Sequence, residues 1–203
     1  MERTIFYVDG FNLYFGIKQL GQNSLKWLDI KLLAQNLLKP EQVLKEVYFF
    51  TSRVTNAPGK EKRQVTYIEA LGHHSNIKIV FGKFQPNYIT CKCCNHVYSS
   101  PNEKMTDVNI AVQLLQDAFQ DNFDTAVLVS GDSDLIPPVL AIRNLFPKKK
   151  VIVAFPPRRH NRSLHQHASA SFIIGRKKLK DSQLPDVIIK SDGYVLTRPA
   201  EWT

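Results

Sequence analysis

Three short acidic segments contain the side chains of this chain whose types and spacing could do chemistry. Asp9 directly follows one apolar run, Asp132 and Asp134 follow another, and Asp107 lies between them in the sequence. The carboxyl ends of parallel strands open onto the functional crevice of an α/β sheet, so we expect these acids to meet there. Several carboxylates at one place repel each other strongly without a cation. The pattern therefore predicts a divalent-metal site.

The expected metal ligands are Asp9, Asp107 and Asp132, with Asp134 as a further acid. Oxygen ligands with open water positions suit Mg²⁺ or Mn²⁺. Such an ion can activate water and stabilise both the developing charge and the leaving oxygen when a phosphodiester is hydrolysed. Each acid also has a structural alternative, because Asp is common as a helix N-cap and as a turn residue.

Apolar runs alternate with helical segments along the chain, which predicts an α/β fold. We expect a three-layer α/β/α sandwich with a mostly parallel central sheet. Strands are predicted at 4–8, 43–51, 77–84, 125–129, 151–155 and 172–174. One domain over 1–180 should carry an insertion at 85–99. Residues 181–203 should form a C-terminal tail that covers a neighbour in a homodimer or folds back on its own sheet.

The helix that carries Asp107 has two predicted start points. The sequence Ser100-Pro101-Asn102-Glu103 is typical of a capping box and predicts a helix that continues to about Gln120. The same helix could begin as late as Thr106. Asp107 shares an apolar face of this helix with Leu114 and should therefore point inward, where a carboxylate needs a partner.

The charge of the chain indicates a polyanionic partner. The formal net charge is +9 and the pI is about 9.5. RNA is the expected partner and DNA an alternative. We expect Arg158, Arg159 and Arg162, in a helix predicted over 158–168, to bind substrate phosphates, although this face could simply be solvated.

No apolar stretch approaches a membrane span, and the N-terminus runs into a strand without a signal peptide. These features predict a cytoplasmic protein without membrane contact.

Three segments resemble the NYN domain, a PIN-like family related to nucleases that use bound metal. They read YVDGFNL at 7–13, KMTDVNIA at 104–111 and LVSGDSDL at 128–135, in the order expected for the family. The resemblance covers about residues 3–175 and extends to bacterial stand-alone proteins of the LabA-like group. It implies a PIN-like, Rossmann-like fold and a metal-dependent endoribonuclease acting on single-stranded or structured RNA.

The resemblance also implies roles for individual residues. By motif position, it gives catalytic roles to Asp9, Asn12, Asp107, Asp132 and Asp134. Among these, Asp9, Asp107 and Asp132 match the metal-binding carboxylates. Asn12 would orient a water or a phosphate oxygen. Independently of the resemblance, the hydroxyl groups of Ser130 and Ser133 could donate hydrogen bonds to carboxylates or to phosphate.

The cysteines form a separate candidate metal site. Cys91 and Cys94 have the C-x-x-C spacing of a zinc knuckle, and His96, or else His73 or His74, could complete it. A second C-x-x-C is absent from the sequence, so four zinc ligands are not defined. The alternative is a reduced hairpin or a reactive surface thiol.

Aromatic residues follow the first acid. Phe11, Tyr14 or Phe15 could stack on a nucleic-acid base. Packing within the core is the expected role for at least two of them.

Other functions are compatible with the same acids. One is an RNA-binding or regulatory module without turnover, and another is a small-molecule phosphoesterase with a closed pocket. A haloacid-dehalogenase-type site is disfavoured because Phe11 stands where its second Asp belongs. A Toprim-type site requires Glu where this chain has Asp9. Neither a glycine-rich phosphate loop nor a G-x-S-x-G motif is present in the sequence.

Overall fold

Strands and helices alternate along most of the chain. The computed structural model describes residues 1–55, 57–85, 88–99 and 102–203. The strands and helices in these ranges are, in order, β1 (Glu2–Asp9), α1 (Gly10–Lys18), α2 (Ile30–Leu37), β2 (Gln42–Thr51), α3 (Pro58–Ala70), β3 (Lys78–Phe81), β4 (Lys83–Gln85), β5 (Tyr88–Thr90), β6 (Val97–Ser99), β7 (Asn102–Lys104), α4 (Thr106–Phe119), β8 (Thr125–Val129), α5 (Ile136–Leu145), β9 (Lys150–Phe155), α6 (Arg162–His167), β10 (Ala170–Ile173), α7 (Arg176–Lys180), β11 (Val187–Ile189) and β12 (Val195–Thr197). Short 3₁₀ turns cover Asn23–Lys26, Ser133–Leu135 and Ala200–Trp202, and a π turn covers Leu71–Ser75.

Six strands form one sheet in the order β3-β2-β1-β8-β9-β10, and each neighbouring pair is parallel. The predicted α/β class with a mostly parallel sheet is confirmed. The chain proceeds outward from β1 to β3, crosses to the other side of β1, and proceeds outward again from β8 to β10. The strand order therefore reverses between β1 and β8. Ligands bind α/β sheets beyond the carboxyl ends of the strands at such a switch point. Val8 pairs with Val129, so Asp9 and Ser130 follow at the same level.

The two faces of the sheet are covered by different helices. Alternate residues of β1 point to opposite faces, as the two-residue period of a strand requires. Phe6 and Val8 belong to the core cluster that includes buried residues of α1 and α2, whereas Ile5 and Tyr7 belong to the cluster that includes α4, α5 and α6. The predicted three-layer sandwich is thus confirmed. Within the ranges given above, none of the helices has both the length and the apolarity needed to cross a bilayer.

The C-terminal segment folds back on its own sheet, which is one of the two predicted alternatives. Ile188 of β11, Leu196 of β12 and Trp202 are buried in the same core cluster as α1 and α2. The indole Nε1 of Trp27 donates to the carbonyl oxygen of Pro185 over 2.8 Å. These contacts make residues 181–203 part of the packing on the first face.

The insertion before α4 contains two antiparallel strand pairs. β4 pairs with β7 and β5 pairs with β6, both antiparallel. Residues 102–104 are therefore a strand and not the first helical turn, so the prediction of a helix from the capping box was wrong and the later start at Thr106 is correct. Pairing with β4 competes with helix formation at these residues. Ser100 and Pro101 of that motif lie outside the described residues.

Candidate active site

Asp9 is held in place by two hydrogen bonds at the end of β1. Its side chain is buried, with 5% of the residue exposed. Oδ1 accepts from the backbone N–H of Asn12 over 2.9 Å and thereby caps α1, while Oδ2 accepts from Ser130 Oγ over 2.9 Å. Burial raises the pKa of Asp9 to about 6, and the negative charges of Asp132 and Glu103 raise it as well, although both hydrogen bonds lower it. Asp9 therefore caps α1 and also belongs to the acidic group; its structural alternative in the sequence was a turn that ends β1, without a capping role.

The loop between β8 and α5 is built around Ser130. Ser130 Oγ accepts from the N–H of Asp132 over 3.1 Å while it donates to Asp9. The N–H of Gly131 donates to Asn12 Oδ1 over 3.0 Å, so the Asn12 side chain connects α1 to this loop. Asp132 Oδ1 accepts from the N–H of Asp134 over 3.0 Å and caps the following 3₁₀ turn. The loop therefore fixes the position of the third acidic segment relative to the first.

Asp107 lies in the first turn of α4 and is half-buried. The N-cap position is Met105, with φ 79°, so Asp107 is not the N-cap of this helix. Burial raises the pKa of Asp107 to about 7, and the charges of Asp9, Asp132, Glu103 and Asp134 raise it further, in that order of size. Four carboxylates from three other parts of the chain are thus close enough to act on Asp107. Asp132 is half-buried, and Asp134 is exposed.

Glu103 is a further acid that sequence reasoning assigned to a helix cap. It lies on β7, and its Oε1 accepts from Ser52 Oγ over 3.0 Å and also from Thr106 Oγ1. Its charge raises the pKa values of both Asp9 and Asp107. Glu103 lies only four residues before Asp107, and this spacing was the available sign that it could belong to the acidic site. The spacing places both side chains in one site only when residues 102–104 are known to form strand β7.

The acids do not form a ready coordination shell. Within the part of the chain that the structure describes, no group of three or more His, Cys, Asp or Glu side chains is placed to hold a metal ion. Mg²⁺ keeps several waters and is usually bound by one or two carboxylates together with substrate phosphates. Oxygen donors whose pKa values are raised by burial and by their mutual charges fit such an ion chemically. The residues present are therefore compatible with a partly hydrated divalent cation.

The cysteine segment does not support the predicted zinc site. Cys91, Cys93 and Cys94 are free thiols at the end of the β5–β6 hairpin. The N–H of Cys91 donates to the carbonyl oxygen of His96 over 2.8 Å, which closes the hairpin through the backbone. His74, an alternative ligand, lies with Nε2 3.7 Å from Asp29 Oδ2. The described residues of this segment, like those of the acidic site, contain no three-residue group that could hold a metal.

The three predicted phosphate-binding arginines do not share one helical face. Helix α6 begins only at Arg162, where the Asn161 side chain accepts from the N–H of Leu164 over 3.0 Å. Arg158 precedes it in an exposed loop with φ 58°, so the prediction of a helix over 158–168 was wrong at its start. Arg159 is the arginine of this set that contacts the acidic loop. A Cβ added to Gly131 would lie 1.9 Å from the carbonyl oxygen of Arg159, which explains the glycine there.

An aromatic pocket lies beside the acids on the first face of the sheet. Its volume is about 280 Å³, and its lining includes Gly10, the residue that follows Asp9. The aromatic side chains that line it include Phe11, Tyr14, Phe15, Phe84 and Trp202, and its basic ones are Lys18, Lys60 and Arg63. Phe11, Tyr14 and Phe15 all line this cavity and none is buried in the core, so the prediction that at least two of them pack in the core was wrong. We refer to this cavity below as the aromatic pocket.

The fold and site together define a parallel α/β domain with an acidic group at its topological switch point. Residues 3–179 match the NYN domain family, and the chain belongs to this family. NYN domains are generally nucleases and typically use divalent metals. The assignment to the LabA-like group stays a prediction.

Proteins similar to this chain include one of known sequence and one of known structure. The 6-hydroxy-3-succinoylpyridine 3-monooxygenase HspA of Pseudomonas putida is 26% identical over 195 residues, which cover 79% of this chain and 62% of that protein. The chain thus spans less than two thirds of the length of this relative. The crystal structure of a protein of unknown function from Vibrio parahaemolyticus has a TM-score of 0.56 and 19% sequence identity, and covers 90% of this chain and 96% of that chain. This structural likeness shows the fold alone.

Proposed function

We propose that this protein is a metal-dependent endoribonuclease that hydrolyses RNA phosphodiester bonds at the acidic site. The observation that carries the proposal is the grouping of acids from four parts of the chain at the switch point, where burial and the charges of Asp9, Asp132, Glu103 and Asp134 raise the pKa of Asp107 to about 7. A group of carboxylates that destabilise one another at the switch point is costly for the fold. Perturbed groups of this kind mark functional sites, and membership of a family of nucleases supports the same conclusion.

The proposed ligands of the ion are Asp9, Asp107 and Asp132, with Asp134 and Glu103 as further acids. When bound, Mg²⁺ or Mn²⁺ would lower the pKa of a water and offset the negative charge that develops on the phosphate. Asp9 is held rigidly by its two hydrogen bonds, so it would serve as the fixed ligand. Asp107, on a separate helix, has no capping role that restrains it in the same way.

The remaining site residues would hold the acids and the substrate in position. Ser130 orients Asp9 and the loop that carries Asp132. Asn12 Oδ1 accepts from the N–H of Gly131, so Asn12 would position the loop with this oxygen and would contact the substrate only through its amide nitrogen Nδ2. The exposed Ser133, at the start of the 3₁₀ turn, would donate to a phosphate oxygen. The net charge of +9 favours association with a polyanion.

The test compares cleavage of a labelled single-stranded RNA by the wild type and by Asp132→Asn. We expect cleavage in Mg²⁺ or Mn²⁺, none in excess chelator, and a loss of at least about a hundredfold in the variant. Asp192→Asn is the matched control, because Asp192 is an exposed carboxylate in the turn between β11 and β12. Metal-independent cleavage, or full activity of Asp132→Asn, would contradict the proposal. Tight RNA binding without turnover in any divalent metal would indicate a regulatory binding module instead.

A second candidate function is binding of a small aromatic substrate in the aromatic pocket. Two observations favour it: the named substrate of HspA is a substituted pyridine, and the aromatic pocket combines aromatic walls with basic residues at its edge. Titration calorimetry with 6-hydroxy-3-succinoylpyridine tests this candidate. This candidate would be favoured over the nuclease if the protein binds the pyridine saturably and neither binds nor cleaves RNA.

A further inference from the structure

The aromatic pocket adjoins the acidic site through residues that are neighbours in the chain. Gly10 and Thr51 line the pocket, while their chain neighbours Asp9 and Ser52 belong to the acidic group or contact it. Consecutive Cα atoms are about 3.8 Å apart, so the edge of the pocket is within one residue of the carboxylates. A chain molecule that presents a phosphate to the acids would therefore have a neighbouring group close to this pocket.

Phe11, Phe15 and Phe84 offer aromatic surfaces at the mouth. The rings of Phe11 and Phe15 are stacked with centroids 6.3 Å apart, and Phe84 of the β4–β7 hairpin meets Phe11 edge-on at 5.8 Å. Phe15 remains 41% exposed, although it lies among other aromatic residues. Deeper in the pocket, Trp202 is buried and its ring centroid lies 5.7 Å from that of Tyr67. The mouth therefore combines partly exposed aromatic rings with a well-packed interior.

Positive charge surrounds these rings. Lys18 Nζ lies 5.9 Å from the centroid of Phe15, and the Arg159 guanidinium carbon lies 5.7 Å from the same ring. Lys60, in the first turn of α3, is exposed at the edge of the pocket. Arg63 is paired with Glu201 over 2.5 Å, which leaves the lysines as the cations more available to a ligand. The ligand that fits this chemistry is a flat aromatic ring joined to negatively charged groups.

We infer that the aromatic pocket receives one unstacked base of a single-stranded RNA, next to the phosphate held at the acidic site. This inference rests on the proposed nuclease function and narrows its substrate class. A volume of about 280 Å³ is near the lower end for small-molecule sites, so it suits a single base and not a larger group. Stacking between a base and an aromatic side chain tolerates any sequence, because every base has a π face. A base within a duplex would first have to leave its stack, so duplex RNA is a poor substrate.

The experiment measures binding separately from cleavage. A fluorescein-labelled single-stranded RNA of about ten nucleotides, within the usual site size for such binding, is titrated with the Asp132→Asn protein in Mg²⁺ and followed by anisotropy. An otherwise identical set of RNAs carries one abasic position, moved along the strand. We expect one position at which loss of the base weakens binding about tenfold, while the others change binding little. This scan alters only the RNA and is therefore independent of protein folding.

Matched protein variants identify the pocket. Phe15→Ala in the Asp132→Asn background should weaken binding of the intact RNA about tenfold and remove the penalty at the sensitive abasic position. Phe119→Ala is the control, since Phe119 is 82% exposed at the end of α4. Lys60→Glu should weaken binding and reduce its salt dependence, whereas Lys45→Glu, on an exposed residue of β2 toward its amino end, should do neither.

The outcomes separate this inference from the proposed function. Metal-dependent cleavage with no sensitive abasic position, or with unchanged binding by Phe15→Ala, overturns the pocket assignment and leaves the nuclease intact. Equal affinity for duplex and single-stranded RNA also overturns it. Failure of the wild type to bind or cleave any RNA overturns the proposed function, and the pocket assignment then fails with it. A sensitive position that becomes insensitive in Phe15→Ala supports the inference.

Discussion

Replacing Asp107 with the neutral, nearly isosteric Asn should stabilise the metal-free protein at pH 8. Burial and the charges of four other acids raise the pKa of Asp107 from its ordinary value of 3.8 to about 7. Between these two values the folded protein retains a proton that the unfolded chain has released. The unfolded state then binds fewer protons, so the free energy of unfolding falls as the pH rises from about 4 to about 7.

The magnitude follows from the same difference. Each pH unit corresponds to about 1.36 kcal/mol, so a rise of about three units sets an upper bound of about 4 kcal/mol on the cost of ionising Asp107. Asp107 is only half-buried, and solvent screening reduces this bound to about 1–2 kcal/mol. We therefore expect Asp107→Asn to raise the free energy of unfolding by about 1–2 kcal/mol at pH 8, and by less than half as much at pH 5.

Urea denaturation in excess chelator measures this effect. Trp27 and Trp202 are both buried, so tryptophan fluorescence reports unfolding of the core. The control Asp192→Asn changes a carboxylate outside the site and should show no comparable difference between pH 8 and pH 5. A less stable Asp107→Asn protein at pH 8 would refute the reasoning, because the carboxylate would then have a stabilising partner. Addition of Mg²⁺ or Mn²⁺ should stabilise the wild type more than the variant.

Three further predictions concern residues that hold the site or the fold. Ser130→Ala removes one of the two hydrogen bonds to buried Asp9 and should cost about 1–3 kcal/mol in urea denaturation at pH 8. Gly131→Ala places a Cβ within 1.9 Å of a backbone carbonyl oxygen, so RNA cleavage should be lost while circular dichroism retains the α/β signature. Hydrogen bonds from Arg3 lower the pKa of Asp124 to about 2, so this pair stabilises the fold above about pH 4 and loses that effect as the pH falls toward 2. Asp124→Asn should therefore cost less than about 1 kcal/mol at pH 7, because the carboxylate is partly exposed, and nothing at pH 2.

Much of the sheet follows from local patterns in the sequence. Thr125–Val129 is buried at all five positions, and such a run has no amphipathic alternative. The parallel arrangement follows because each strand is separated from the next by a helix. The boundary of α4 was harder, since Ser100-Pro101-Asn102-Glu103 satisfies a local helix-cap pattern. The competing interaction is the pairing of β7 with β4, whose partners lie 17 to 21 residues away in Lys83–Gln85 and Asn102–Lys104.

The candidate site was predictable where residues follow strands and not where they depend on long-range packing. Asp9 and Ser130 follow paired strands, so their proximity was foreseeable from the motifs. Glu103 reaches the site only because the β4–β7 hairpin places it against Ser52, a contact across 51 residues of chain. Arg159 approaches Gly131 through a loop whose start and end no periodic pattern defines. These positions required the tertiary structure.

Asp107 is the residue that separates a structural from a catalytic explanation of the acids. Asp9 caps α1 and Asp132 caps the 3₁₀ turn, so loss of cleavage in their variants could reflect a displaced helix or loop. Asp107 does not cap α4, and its ionisation opposes folding. If the Asp107 charge had only a structural role, the Asp107→Asn protein would cleave RNA as well as the wild type, or better because it is more stable. An Asp107→Asn protein that is more stable than the wild type, yet does not cleave RNA, requires that the charge is kept for catalysis at a cost to the fold.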